Sequence, residues 1–367
     1  MKKIYIIGIL ALLALLCFSC KTSKSSAEDK FNEQLGRNSY RIMFYNTENL
    51  FDTINDPDKN DDEFTPSGAK YWTGYRYYMK LTNISKVIIG AGEWELPQIV
   101  GLSEVEHKKV VQDLIYKTPL SKSDYKIIHK ESPDSRGIDC ALIYRKKYFT
   151  PISENFIPVV WPQKIGSGAT RDILYVKGVT NQKDTLHIFV NHWPSRWSGQ
   201  METEAKRIYV AELVKHHTDS ILKLEKDANI IIMGDLNDHP TDKSLIYGLK
   251  AQTEYDKIKH DKLYNLSYYL QEIKKLGTHK FQGQWGILDQ IIVSGALLDT
   301  TSGIYTTLED AHIYNPDFML VPDEGYTGKQ VFRTYIGYKY QGGYSDHLPT
   351  YIDIYKKEEK KTSTLGE

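Results

Sequence analysis

The chain has 367 residues, of which 41% are hydrophobic and 26% are charged, and its formal net charge is +0. These proportions are typical of a folded globular protein with one large core or two smaller ones. A neutral chain lacks the overall field that would draw it to nucleic acid or to an anionic membrane, which excludes binding of such partners by bulk charge. A phosphate ester would therefore have to be bound by local charge, for example that of metal ions.

The N-terminal segment, MKKIYIIGILALLALLCFSC, indicates an export signal and not a part of the fold. A basic start precedes an apolar run that is too short to span a membrane comfortably. Its end, with Ser19 before Cys20, resembles the lipobox of bacterial lipoproteins. This predicts a signal peptide at residues 1–19, a lipidated Cys20 with a tether at residues 20–38, and an exported protein anchored to a membrane, facing the periplasm or the exterior. The alternative is an ordinary signal peptide with a chance cysteine.

The chain has three cysteines, Cys17, Cys20 and Cys140. If Cys17 is removed with the signal and Cys20 is lipidated, Cys140 has no partner within the chain. The exported domain must then be stable without a disulfide, from its core alone. Cys140 lies in the apolar segment DCALIY, which predicts a small buried side chain.

Alternating and apolar segments predict strands, and apolar residues at helical spacing predict three helices. The strands are expected at residues 40–45 and in the segments QIVGLSEVE, DCALIYR, DILYVKGV, LHIFVNHW, NIIIMGDLN, LDQIIVS and TYIDIY. The helices are expected around residues 81–90, 110–115 and 205–221. Several strands are apolar enough to be covered on both faces. Residues 39–356 are therefore predicted to form one α/β domain of two mostly antiparallel sheets packed face to face with helices outside, and residues 357–367 a disordered tail.

Polar residues recur where the predicted strands end, and this is where a rigid scaffold places functional groups. In NIIIMGDLND an apolar run stops at Gly234 and carboxylates follow at once. Asp235 and Asn237 are two residues apart, so at a strand end both side chains point to one side. We interpret the whole set as the lining of one site. Its members are Asn46, Glu48, Glu104, His192, Asp235, Asn237, Asp289, Asp346 and His347.

The ordered motifs SEVE, GDLN and SDH resemble those of the endonuclease/exonuclease/phosphatase superfamily, which includes deoxyribonuclease I, abasic-site endonucleases, inositol polyphosphate 5-phosphatases and bacterial sphingomyelinases. Each motif alone is weak, but their combination in this order is specific. The resemblance covers residues 41–354, and the wording NHWPSR and GGYSDHLP is most similar to exported bacterial members. It implies a four-layer α/β sandwich that hydrolyses phosphate esters.

The resemblance also implies a set of metal ligands. Glu104 would be the principal ligand of Mg²⁺, supported by Asn46, Glu48 and Asp346. Carboxylate and amide oxygens suit Mg²⁺, which keeps several waters and bridges to substrate phosphate. Mn²⁺ would be a possible substitute.

The remaining strand-end residues take catalytic roles in the same resemblance. Asp235 and Asn237 would orient and activate the attacking water. His347 would contact the scissile phosphate, with Asp289 fixing its tautomer and orientation. His192 would serve the leaving group or bind phosphate. Asp235 and Asn237 could instead be simple turn formers, and His192 a satisfied structural histidine.

Three further residues are weaker candidates. Arg171 and Arg196 could contact phosphate, and Asp139 could orient His192, although ordinary salt bridges explain all three equally well. Residues 305–343 form an unusually long interval that could be a lid, a substrate wall or decoration. Six other histidines show no ligand spacing. They are His187, His216, His217, His239, His260 and His279.

These observations predict a monomeric, Mg²⁺-dependent phosphodiesterase anchored to a membrane through its N-terminal lipid, with nucleic acid the favoured substrate. One alternative is a phosphatase or a sphingomyelinase-type phospholipase acting on inositol phosphates, nucleotides or lipids. Another is an inactive lipoprotein that uses the old site to bind a ligand. The complete set of acids, amides and histidines argues against inactivity.

Overall fold

The computed structural model describes residues 39–197, 199–301 and 303–357. The expected signal peptide, the expected lipid anchor at Cys20 and residues 358–367 of the expected tail lie outside these ranges. None of the helices in the described part of the chain is both long enough and apolar enough to cross a membrane.

The described residues form two β-sheets with helices outside them and several short hairpins. The helices are α1 (Gly74–Gly92), α2 (Lys108–Tyr116), α3 (Gln200–Leu224) and the single turn α4 (Leu266–Tyr268). The strands are β1 (Ser39–Leu50), β2 (Ile99–Val105), β3 (Tyr125–His129), β4 (Asp139–Arg145), β5 (Phe149–Ile157), β6 (Ile173–Thr180), β7 (Thr185–His192), β8 (Ile230–Asp235), β9 (Leu263–Asn265), β10 (His279–Phe281), β11 (Gln284–Gly286), β12 (Asp289–Ser294), β13 (Ile304–Tyr305), β14 (Ala311–Ile313), β15 (Leu320–Pro322), β16 (Lys329–Val331), β17 (Tyr335–Ile336), β18 (Lys339–Tyr340) and β19 (Thr350–Lys356).

Each sheet contains a pair of parallel strands near its centre. The first sheet has the strand order β13–β19–β1–β2–β4–β3, with β14 also paired to β19, and the second has the order β5–β6–β7–β8–β12–β9. β1 and β2 are parallel and joined through α1, and β7 and β8 are parallel and joined through α3. Most other paired strands are antiparallel. The prediction of two mostly antiparallel sheets with helices outside is confirmed.

β8 is buried on both of its faces, which explains its uninterrupted apolar sequence. Ile231 and Met233 pack in the core that both sheets share, whereas Ile230 and Ile232 pack in a second core with apolar residues of α3. Successive strand residues point to opposite faces, so a strand between two layers needs apolar residues at every position. Gly101 of β2 lies opposite Met233, where an added Cβ atom would be 2.7 Å from the methionine Cε. The two sheets therefore approach closely at their centres.

The predicted helices and the buried cysteine are also present. The apolar residues that predicted α1, among them Leu81 and Ile88, are fully buried, and so are Val110 and Leu114 of α2. Cys140 of β4 is buried and free. The core of the described residues is therefore stabilised by apolar packing without a disulfide, as predicted.

Candidate active site

The carboxyl ends of the two parallel strand pairs meet at one place. Asn46 of β1 donates from Nδ2 to Asp235 Oδ2 of β8 over 3.0 Å, which connects the two sheets. His192, at the end of β7, places Nε2 3.6 Å from Glu104 Oε1 of β2 and 3.6 Å from Asp235 Oδ2. The sequence prediction that these four strand-end residues lie together is confirmed by these contacts.

Several residues at these strand ends have a left-handed backbone. The φ angles are 51° at Glu48, 52° at Asn49, 58° at Glu104 and 51° at Asn237. Such conformations cost a non-glycine residue roughly 1–3 kcal/mol each and persist only where the surroundings enforce them. Here Glu104 Oε2 accepts a hydrogen bond from the backbone N–H of Asn49 at 2.8 Å. These left-handed residues are concentrated at the strand ends that border the cleft.

Asp235 is deeply buried at this junction, with 2% of its surface exposed. Its Oδ1 accepts a hydrogen bond from the backbone N–H of Asn237 at 3.0 Å, and Asn237 Nδ2 donates to Trp193 O at 3.1 Å. Burial raises the pKa of Asp235 to about 7, with Asp289 and Glu104 adding to the rise and His347 opposing it. A carboxylate of this basicity is suited to accept a proton near neutral pH.

His347 is paired with Asp289, as predicted. Its Nδ1 lies 2.7 Å from Asp289 Oδ2, and its Nε2 lies 3.8 Å from Asp235 Oδ2 and 3.9 Å from Asp346 Oδ1. Burial favours the neutral ring, but the three surrounding carboxylates raise the pKa of His347 well above its usual range. The imidazolium can therefore donate a proton from each nitrogen.

His192 is held in the neutral form. Burial and the charges of Arg171, Arg136 and His347 lower the pKa of His192 far below its ordinary value. Its Nδ1 is buried and has no hydrogen-bond partner within the described ranges. A neutral imidazole beside Glu104 can accept a proton or a metal ion, but it is not a fixed positive charge.

The predicted pairing of Asp139 with His192 is wrong. Asp139 Oδ1 accepts hydrogen bonds from the backbone N–H and the hydroxyl of Ser132, and Oδ2 lies 3.2 Å from His129 Nε2. Asp139 begins β4, and these partners lie in the preceding turn and on the adjacent strand β3. The carboxylate therefore stabilises the entrance of β4.

Arg171 and Arg196 differ in which of their guanidinium nitrogens are already hydrogen-bonded within the protein. Arg171 is buried, donates to Trp193 O at 2.6 Å, and keeps a buried Nε without a partner among the described residues. Arg196 instead donates to Asn237 O at 2.6 Å, to Asp238 Oδ1 at 3.0 Å and to Asp242 Oδ2 at 2.6 Å. Its guanidinium therefore secures the loop that carries Asn237, and its predicted contact with phosphate stays a prediction.

The predicted metal ligands fall into two groups. Glu104 Oε1 lies beside His192, and this hard carboxylate oxygen fits a divalent ion such as Mg²⁺. The Asn46 amide lies nearby but presents its nitrogen to Asp235, while its oxygen accepts a hydrogen bond from Glu48 N at 2.9 Å. Glu48, in contrast, accepts hydrogen bonds from Thr334 N at 2.7 Å and from other donors of the same segment. Its predicted role as a metal ligand does not fit the structure, because its oxygens are already engaged.

The sequence model of the endonuclease/exonuclease/phosphatase family matches residues 41–356. The chain belongs to this family. Members of the family are phosphoester hydrolases and generally depend on a divalent metal. No curated protein matches the chain.

Solved structures with the same fold share little sequence with this family member. Zebrafish (D. rerio) TDP2, humanised by 14 mutations, has a TM-score of 0.53 and 15% identity, covering 86% of this chain and 98% of that one. The human Nocturnin catalytic domain with bound sulfate has a TM-score of 0.51 and 16% identity, covering 87% and 95%. An endonuclease/exonuclease/phosphatase from Bacteroides vulgatus has a TM-score of 0.51 and 14% identity, covering 87% and 99%. These likenesses confirm the fold.

Sequence reasoning missed His279, which lies at the site of this family member. The ring centroids of His279 and His347 are 4.9 Å apart, and the two residues form a backbone bridge. Burial, and then the charge of His347, lower the pKa of His279 to about 4. The signal that could have placed His279 at the site is the hairpin β10–β11. Its two-residue turn has φ angles of 47° at Gln282 and 81° at Gly283. This hairpin leads directly into β12 and so returns His279 to the cleft.

Two cations of the site also came from outside the predicted set. Lys80 of α1 is fully buried and lies 3.7 Å from Glu48 Oε2. Arg333, in the long segment 305–343, reaches both Glu48 and Asp346. That segment therefore contributes directly to the site.

Proposed function

We propose that the chain is a metal-dependent phosphodiesterase, with Mg²⁺ as its ion and a nuclease activity as the favoured reaction. The observation that carries this proposal is the pairing of two unlike groups in one buried cleft. Asp235 has a pKa of about 7, and the strongly basic His347 lies 3.8 Å away from it, next to Asp289. A proton acceptor and a protonated donor side by side are what hydrolysis at phosphorus requires.

The geometry supports a role for each group. Asp235 would accept the proton of the attacking water, which the Asn237 side chain would help to orient. The His347 imidazolium would bind a phosphate oxygen and stabilise the charge that develops there. Neutral His192 would face the leaving group. Glu104, together with Asn46, would hold the divalent ion, which supplies the positive charge that an anionic substrate needs in an acidic site.

Nucleic acid is favoured as substrate by one likeness. A structure of D. rerio TDP2 complexed with single-strand DNA product has a TM-score of 0.51 and 15% identity, covering 86% of this chain and 98% of that one.

We also propose that Cys20 carries a lipid and that the enzyme acts at a membrane outside the cytoplasm. Such an anchor would equally suit a lipid phosphodiester, so sphingomyelin belongs in any substrate test.

The decisive experiment is a hydrolysis panel with the purified chain. Plasmid DNA, RNA, sphingomyelin and inositol phosphates would each be incubated with Mg²⁺, with Mn²⁺ or with EDTA. We expect DNA or RNA to be cleaved with either ion and spared with EDTA. Asp227→Asn, which alters an exposed carboxylate paired with His260, is the matched control and should keep full activity. Absence of hydrolysis of every substrate, or full activity in EDTA, would refute the proposal.

A further inference from the structure

One arginine bridges two of the acids that the sequence predicted as metal ligands. Arg333 Nε lies 3.3 Å from Glu48 Oε1, and Arg333 Nη2 donates to Asp346 Oδ2 over 2.7 Å. Glu48 follows the first strand of the domain and Asp346 precedes the last, so these two carboxylates come from opposite ends of the folded chain. The guanidinium lies where an ion shared by the two acids would have to bind.

Glu48 has no free acceptor position left. Its Oε1 faces Arg333 Nε and, at 3.4 Å, the backbone N–H of Tyr335, while its Oε2 accepts from Thr334 N at 2.7 Å and lies 3.7 Å from Lys80 Nζ. A carboxylate offers about four lone-pair sites. Four donors already surround this one, and only 6% of the side chain is exposed. An ion could reach Oε1 of Glu48 only by taking the place of Arg333 Nε.

The buried side chain of Lys80 holds Glu48 in place. Its Nζ donates to Thr334 Oγ1 at 2.5 Å and to Tyr344 O at 2.7 Å, and its side chain is completely buried. A buried ammonium group is strongly destabilising unless a counter-charge remains beside it. Glu48 supplies that charge through Oε2, so Oε1 is the oxygen that Arg333 occupies.

Arg333, by contrast, faces the cleft. Its side chain is 38% exposed, compared with 21% for Asp346. Its Nη1 makes no hydrogen bond or ion pair with any described residue. A planar guanidinium with one open edge is well shaped to bind a phosphate group. The guanidinium of Arg333 is a permanent positive charge near neutral pH, and it lies directly beside the carboxylates of Asp346 and Glu48.

We infer that Arg333 is a built-in cation that replaces a second divalent ion between Glu48 and Asp346. The site then takes a single divalent ion on the Glu104 side and presents the open edge of the guanidinium to the substrate phosphate. This inference rests on the proposed function, because it assumes that a divalent ion and an anionic phosphate bind here. It gives the substrate positive charge from a fixed side chain as well as from the ion.

The test is the number of Mn²⁺ ions bound, measured by titration calorimetry on the full chain after dialysis against EDTA. We expect one ion for the wild type and one for Arg333→Lys, which keeps the charge. Arg333→Gln removes the charge and should bind two. The matched control is Arg76→Gln, because Arg76 stacks on Tyr340 of the same segment, 4.4 Å from the ring centre, without contacting the site acids. It should bind one ion.

Each departure from this pattern has a distinct meaning. Two ions in the wild type would overturn the inference and leave the proposed function standing. No ion in the wild type would overturn the proposed function and the inference with it. A folded Arg333→Gln, checked by circular dichroism, that still binds one ion would show that the arginine excludes nothing. If Arg333→Gln does not fold, the wild type and Arg333→Lys decide, since either one binding two ions would contradict the inference.

Discussion

The two sides of the cleft treat a carboxylate in opposite ways. Asp346, on the side that precedes β19, lies against Arg333 and beside His347, and although burial opposes it these cations lower the pKa of Asp346 to about 2. Asp235, at the end of β8, is buried among other acids, and its pKa is raised to about 7. Two chemically identical groups in one cleft thereby differ near neutral pH, one a permanent anion and the other a carboxyl group that can take up a proton.

The largest loss of activity is expected from a change at Asp235. Asp235→Asn removes the proton acceptor, so we expect the hydrolysis rate to fall about 10²–10⁴-fold, and added Mg²⁺ should not restore it.

Glu104→Gln should lose activity to a similar degree, since electrostatic stabilisation is of comparable size. Excess Mg²⁺ should restore part of this activity, because a high ion concentration compensates for a weakened affinity. Initial rates measured against Mg²⁺ concentration check both. Rescue of Asp235→Asn by Mg²⁺ would assign Asp235 to the metal instead of the water.

A smaller loss is expected at the partner of His347. Asp289→Asn removes the carboxylate 2.7 Å from His347 Nδ1, and with it the group that orients the ring and stabilises its charge. Carboxylates that orient metal-bound histidines contribute about 10–100-fold, and we take the same range for this pair. We expect kcat to fall by that amount while KM changes less. Steady-state kinetics measure both, and an unchanged kcat would mean that His347 needs no such support.

The opposite pKa shifts should also be visible in stability without metal. Because the folded pKa of Asp235 is raised, the folded state binds more protons than the unfolded state between about pH 4 and 7, so stability falls as pH rises through that window. Asp346 is lowered, so its contribution is present above about pH 4 and is lost as pH falls toward 2. Each effect is on the order of a few kcal/mol at most.

Melting temperatures in EDTA, recorded from pH 3 to 8, test this pair of slopes. Asp235→Asn should flatten the decline between pH 5 and 7, and Asp346→Asn should flatten the loss below pH 4. Parallel curves for the wild type and both variants would contradict the environments that we assign to these carboxylates.

The smallest effect on the cleft should come from Cys20→Ser. We expect this change to release the protein from the membrane fraction, because a lipid on a tether supplies membrane affinity and not core packing. Its hydrolysis rate on a soluble substrate should be that of the wild type. Fractionation followed by an activity assay measures both, and a variant that still sediments with membranes would exclude the lipid anchor.

The site was predictable where one short segment contains the whole signal. The apolar run of β8 followed by Asp235 is such a segment, because burial on both faces and a functional strand end are both visible in ten residues. β5 was missed because it is an edge strand with Pro151 and a register irregularity, and its exposed residues do not alternate cleanly. A local sequence pattern reflects how deeply that segment is buried. An edge strand is largely exposed, so its pattern is weak.

The error at Glu48 has the opposite cause, since it depends on contacts between distant segments. No local pattern shows that Arg333 and Lys80 will surround Glu48, because these partners are brought together only by the completed fold. The pairing expected for Asp139 failed because nearby Ser132 and His129 provide closer partners. Charge balance in a cleft is a property of the tertiary structure. A sequence motif identifies the acidic residues of the site but not the basic residues that pair with them.

The meeting of the first and last strands has a consequence for synthesis. Ser345 Oγ donates to Asn46 O at 2.8 Å across 299 residues of sequence, and Arg41 is held to Asp353 through paired hydrogen bonds. A ribosome must therefore finish nearly the entire domain before Asn46 and Asp346 can share a cleft. Nascent or prematurely terminated chains would lack the assembled site, so a cell making a hydrolase of this kind would be shielded from its activity until the chain was complete.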